Sequence, residues 1–109
     1  MGPARSLSPP ALEAARLLGA RIRLARRERR WTLQELADRV GVTSVTMRKV
    51  ERGDPSVGLG IAFEAAALTG VALFDADPAR RLLEAERVRD RLALLPVRVH
   101  KPRHVDDDF

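Results

Sequence analysis

The sequence predicts an all-α protein of five helices, and three observations carry that prediction. Apolar residues recur at three- and four-residue spacing along most of the chain, which is the period of a helix and not of a strand. Cap-forming residues stand ahead of the periodic runs, at Ser8, Thr32, Thr43 and Asp77. Glycines stand behind three of them, at Gly41, Gly53 and Gly70. Only Val97-Arg98-Val99 alternates as a strand would.

Residues 1–7 are unpatterned and read as a flexible arm. Ser8-Pro9-Pro10 opens the first helix, since proline in a first turn gives up an N–H that has no partner there anyway. That helix is predicted to run to about Arg29. Thr32-Leu33-Gln34-Glu35 is a capping box, in which the Thr32 hydroxyl takes the Glu35 N–H and Glu35 reaches back to the Thr32 N–H. Leu33, Leu36, Ala37 and Val40 form the buried stripe of the second helix, and Gly41 stops it. Thr43 caps a third helix through Val45, Met47 and Val50 to Arg52. After the Asp54-Pro55-Ser56 turn a fourth helix runs from roughly Gly58 to Leu68, its first turn weakened by Gly58 and Gly60. Asp77-Pro78 starts a fifth, expected to reach Leu95, with Pro96 ending it. Residues 8–76 then make one domain, 77–96 a helical extension and 97–109 an extended tail.

Composition narrows the function. A chain of 109 residues fits one compact domain with tails. It has no cysteine, which excludes a disulfide scaffold, a thiol nucleophile and thiolate-bound metal. There is no Ser-His-Asp arrangement and no glycine-rich phosphate loop, so no catalytic residue, no cofactor and no enzyme activity are expected. His100 and His104 have helical ligand spacing, but Pro102 between them breaks the helix, and no metal site is expected. No apolar run approaches the length of a membrane span, and no signal peptide is recognisable, so a cytoplasmic protein is expected. Met1-Gly2 with Ser6 fits a myristoylation pattern only by coincidence, with Pro3 inside it.

The charge is uneven. Residues 1–53 hold 12 basic and 5 acidic side chains, while residues 54–109 hold 8 and 10. A basic half on a small domain is the footprint of a polyanion binder, because neutralising phosphates releases condensed counterions. The run Arg21 to Arg30 is densest, with arginines ringing the outer face of an amphipathic helix.

Two short helices joined across Gly41, the second capped by Thr43, form a helix-turn-helix. That geometry lets the second helix enter a DNA major groove. Thr32, Glu35-Leu36-Ala37, Gly41-Val42-Thr43, Val50-Glu51-Arg52-Gly53 and Pro55-Ser56 resemble the Xre/Cro, phage-repressor-like family. With the flanking helices the resemblance covers about residues 18–74 and implies a five-helix, lambda-repressor-like domain.

The resemblance implies base contacts from Ser44, Val45 and Lys49. It implies phosphate contacts from Thr32, Thr43, Thr46, Arg48 and Arg52. It also implies an internal ion pair between Arg26 and Glu51. Lys49 can donate to guanine O6 or N7, and Val45 can pack on a thymine methyl. The chain departs from the family at Leu33, where a glutamine is usual, and at Arg30, where a glycine is usual. Trp31 takes a buried apolar position, so core packing is expected of it.

A single recognition helix reads few bases, so a homodimer on a pseudo-palindromic operator of double-stranded DNA is expected. The apolar stripe of the fifth helix, Leu82, Leu83, Ala85, Val88, Leu92 and Leu95, is assigned partly to that dimer. If Val97 to Val99 form a strand, it is too short to stand alone and would pair with its twin across the dimer; the alternative is a disordered tail. The tail then carries Asp106, Asp107, Asp108 and Phe109, an acidic–aromatic segment suited to docking a protein. Size, architecture and tail together resemble HipB-type antitoxins, which repress their own operon and bind a HipA-type kinase toxin. A stand-alone regulator without a toxin partner is the alternative.

Overall fold

The computed structural model describes residues 6–99 together with 101 and 102. Five helices follow one another: α1 (Pro9–Glu28), α2 (Leu33–Val40), α3 (Ser44–Arg52), α4 (Leu59–Thr69) and α5 (Pro78–Ala93). The caps act as their chemistry predicts. Ser8 Oγ accepts from the Ala11 N–H, and Thr32 Oγ1 accepts from the Glu35 N–H at 3.0 Å while the Glu35 carboxylate accepts from the Thr32 N–H. Gly41 and Gly53 end α2 and α3 at φ 88° and 72°, in the left-handed region that side chains avoid.

The chain falls into two units, residues 1–73 and 74–109. In the first, α1 to α4 enclose a small core of Ile22, Leu36, Ala37, Met47, Val50, Ala65 and Ala66. These residues come from all four helices, so burying them is what fixes the turn between α2 and α3. Trp31 packs against this core but is only half-buried. Its ring lies under two cations, with the Arg39 guanidinium 4.1 Å and the Arg29 guanidinium 5.3 Å from its centre. Arg29 also donates through Nε to the Thr69 carbonyl at 3.0 Å, closing the C-terminal end of α4 with a cation where the helix dipole favours one. Arg30, where the family has glycine, is left-handed at φ 59°, a conformation that costs a side-chain-bearing residue about 1–2 kcal/mol.

The tightest approach in this unit joins α1 to the end of α3. A Cβ built on Gly19 would lie 2.5 Å from the Val50 carbonyl oxygen and 2.7 Å from that of Glu51. Gly53 meets α1 equally closely, beside the backbone of Ala15 and Arg16. Two glycines therefore let two backbones touch. Nothing in the helical period of the sequence singles out Gly19 for this contact.

The second unit begins at Phe74, itself left-handed at φ 63°. Asp77 caps α5 by accepting from the Ala79 N–H, and Arg81 Nη1 folds back onto the Asp75 and Ala76 carbonyls. No residue of α5 is buried. The helix ends at Ala93, two residues before the expected Leu95, and its apolar side chains stand in the open.

Val97 to Val99 form no strand within the single chain, and no strand occurs among the described residues. The physical reason is that a three-residue segment has no ladder to join within one chain. The docking segment Asp106, Asp107, Asp108 and Phe109, most of the N-terminal arm and both histidines lie outside the described residues.

Candidate nucleic-acid interface

The candidate site is the outer side of α3 with the N-terminal end of α2. Met47, Val50 and Glu51 are buried, which fixes how α3 is rolled on the core. At roughly 100° per residue, the direction opposite these three falls on Val45, Arg52 and Lys49, with Arg48 at its edge. All four are exposed, Val45 to 60% despite being apolar. Ser44 is half-buried, turned about 100° from Val45 toward the flank. Of the three residues implied as base contacts, Val45 and Lys49 are thus on the face and Ser44 is at its margin, while Arg52 flanks Val45 on the side away from Lys49.

The threonines are part of the helix caps. Thr43 Oγ1 accepts from the Thr46 N–H at 3.1 Å and donates to Thr46 Oγ1 at 3.2 Å. The Thr46 hydroxyl hydrogen stays free for another acceptor. Thr32 Oγ1 caps α2 as an acceptor and keeps its own O–H to donate. Both caps sit at helix N-termini, where backbone N–H groups and the dipole favour an anion.

Glu51 is not exposed acid beside this face. The Arg26 guanidinium donates to both of its carboxylate oxygens, Nε to Oε2 at 2.6 Å and Nη2 to Oε1 at 3.0 Å. A third bond runs from Arg26 Nη1 to the Trp31 carbonyl at 2.8 Å. The fork ties α1, the α1–α2 link and α3 into one piece, with the side chains of Arg26 and Glu51 exposed by 10% and 6%. No buried side-chain polar atom among the described residues lacks a partner.

The loop after α3 carries Asp54, which accepts from the Ser56 hydroxyl at 2.7 Å and the Ser56 N–H at 2.9 Å. These bonds, side chain first, hold its carboxyl below the ordinary carboxylate range against a small opposing push from desolvation, with Lys49 and Arg52 adding to the effect. Asp54 is therefore ionised at neutral pH, with its Oδ1 held inside its own turn.

Sequence reasoning had noted the arginines of α1 without placing them. The structure brings Arg23 and Arg27 to the same pocket as Arg48 and Arg52. Helical period alone could show that they face outward, but not which element they meet.

No helix among the described residues is long and apolar enough to cross a membrane. No curated protein and no solved structure matches the chain. Residues 17–85, well over half of it, match the family model described as a helix-turn-helix domain. With its second helix rolled so that a basic face points outward, the chain belongs to the helix-turn-helix domain family and is a DNA-binding regulator.

Proposed function

We propose that the protein is a sequence-specific transcriptional repressor that binds a pseudo-palindromic operator in double-stranded DNA as a homodimer. The observation that carries this is the roll of α3, whose buried side is locked by Met47, Val50 and the Arg26–Glu51 fork while Val45, Lys49 and Arg52 stand free. Lys49 donates to a guanine edge, Val45 packs on a thymine methyl and Ser44 meets bases from the margin of the helix. Thr32, Thr43, Thr46, Arg48 and Arg52 hold phosphates, which sets register without reading sequence. This is binding work in the cytoplasm, without catalysis or cofactor.

Lys49→Ala is expected to weaken binding to the preferred duplex by about 1–3 kcal/mol and to relax preference at one base pair. Arg48→Ala is expected to weaken all duplexes evenly. Both are read by fluorescence anisotropy on a selected duplex and its single-base variants; an even loss from Lys49→Ala would remove it from the readers.

Dimerisation is assigned to residues 77–96. Ala85, Val88 and Leu92 follow one another at spacings of three and four, the seam of a two-helix packing, and Val88 and Leu92 are each more than half exposed. Charging this seam with Leu92→Glu is expected to shift the chain from dimer to monomer in sedimentation equilibrium. Its helix content should hold, because nothing in α5 is buried within one chain. A wild-type chain that stays monomeric at concentrations saturating the operator would end the dimer assignment.

The finer reading, an antitoxin that also sequesters a HipA-type kinase, is supported by the acidic–aromatic segment Asp106, Asp107, Asp108 and Phe109. It predicts that removing residues 105–109 leaves operator binding intact and abolishes co-purification of a kinase. If no kinase co-purifies with the full chain, the stand-alone regulator is the function.

A further inference from the structure

Five arginines and one glutamate converge where α1 lies against α3, around a pocket of about 380 Å³. Their roles divide sharply. Arg26 and Glu51 neutralise each other through the two-bond fork. Arg23 and Arg27 from α1, and Arg48 and Arg52 from α3, are exposed, and among the described residues no carboxylate lies within 4 Å of any of them. Four positive guanidinium groups thus share one concavity, and the one acid that lines it is already spent.

Such a cluster is costly in the free protein, since like charges repel and the fold gains nothing from gathering them. An oxyanion with several acceptor atoms relieves that repulsion, and planar guanidinium forks match phosphate oxygens two at a time. The half-buried Leu33 walls one side of the pocket. The pocket is also continuous with the outward face of α3, because Arg48 and Arg52 belong to both.

We propose that Arg23, Arg27, Arg48 and Arg52 form a clamp for neighbouring backbone phosphates of the duplex that α3 reads, so that α1 grips DNA as well as supporting the fold. The clamp rests on α3 being the helix that meets DNA, but not on sequence preference. Arg23 and Arg27 add a second set of contacts, on a different element, to those of the helix-turn-helix itself.

The test is the salt dependence of binding by the full chain, measured by anisotropy on a 30-base-pair duplex selected from a random pool and on an unselected one. Each phosphate contact adds about 0.9 to the slope of log affinity against log salt concentration. Arg23→Ala/Arg27→Ala is expected to reduce the slope by nearly 2 on both duplexes, so the affinity lost between 50 and 200 mM salt shrinks about tenfold. The preference for the selected duplex stays unchanged, and Arg23→Lys/Arg27→Lys keeps most of the slope. Both residues are exposed, so an unchanged melting curve accompanies the alanine pair.

An unchanged slope overturns the clamp. So does an equal reduction from Arg80→Ala/Arg87→Ala on α5, which would show net charge acting at a distance. Saturable binding of inorganic pyrophosphate to the chain without DNA, lost in the alanine pair while the slope persists, would reassign the pocket to a free anion. If the random pool yields no enriched duplex, the sequence-specific repressor fails instead, and the clamp is read from the unselected duplex alone.

Discussion

Gly19→Ala is expected to lower the melting temperature of the protein by roughly 10–20 °C, the loss that about 2–3 kcal/mol produces in a domain of this size. A methyl group at that position would lie 2.5 Å from the Val50 carbonyl oxygen, 2.7 Å from that of Glu51 and 2.8 Å from the Gly53 nitrogen. All three obstacles are backbone, so no rotamer change can clear the space. The only relief is to move α1 away from α3. That movement loosens Ile22 against Val50 in the core and stretches the Arg26–Glu51 fork at the same time.

The opposing effect is small, because alanine recovers at most about 1 kcal/mol of helix propensity over glycine. Gly60→Ala provides the matched comparison. Its Cβ would meet nothing within 4 Å, so the same exchange in α4 should be neutral or slightly stabilising. Differential scanning calorimetry on the two variants decides the matter. Equal melting temperatures would mean that the backbones of α1 and α3 separate without cost. Operator binding by Gly19→Ala, measured below its melting temperature, is expected to fall as well, since α3 loses the support that fixes its roll.

What the sequence reveals and what it hides follow from the range of each interaction. Thr32 with Glu35 and Thr43 with Thr46 are pairs three residues apart, so both caps can be read from the chain alone. The ends of α2 and α3 are equally local, being set by the left-handed freedom of Gly41 and Gly53. Gly19 gives no such signal. In the sequence it is a weak point inside a helix, and its purpose appears only once residues 50–53 are laid across it. The same is true of Arg29, whose acceptor on Thr69 lies forty positions away.

Val97 to Val99 show the complementary case: alternation describes a face for a strand, but a strand also needs a neighbour, which the single chain does not supply. On α3 the discrepancy is one of angle. The resemblance groups Ser44 with Val45 and Lys49, whereas the burial of Met47, Val50 and Glu51 rolls the helix so that Val45 takes the central place, Lys49 and Arg52 stand on either side and Ser44 takes the margin. A charged residue on the buried side is not something an apolar period can announce.

That buried charge sets the second large effect. Glu51→Ala is expected to cost about 3–5 kcal/mol, because it strands the Arg26 guanidinium in a site where the side chain is only 10% exposed. The fork itself is no reliable source of stability, since desolvating two charges offsets most of their attraction. Removing both should therefore cost far less than removing one. Arg26→Met/Glu51→Leu keeps much of the volume and leaves no unpaired charge, and its melting temperature is expected to return most of the way toward wild type.

The double-mutant cycle, by urea denaturation of Glu51→Ala, Arg26→Ala and the pair, should give a coupling energy of about 2 kcal/mol or more. A loss below about 0.5 kcal/mol from Glu51→Ala would place it with ordinary surface acids, contrary to its burial. The apolar pair then separates stability from register. Arg26 also holds the Trp31 carbonyl, so the fork spans α1, the link to α2 and α3 with directional bonds that methyl groups cannot imitate. If direction is what the fork provides, the refolded Arg26→Met/Glu51→Leu chain will melt near wild type yet discriminate less between the selected duplex and its single-base variants. If discrimination is fully retained, packing alone orients α3, and the charges are dispensable to its aim.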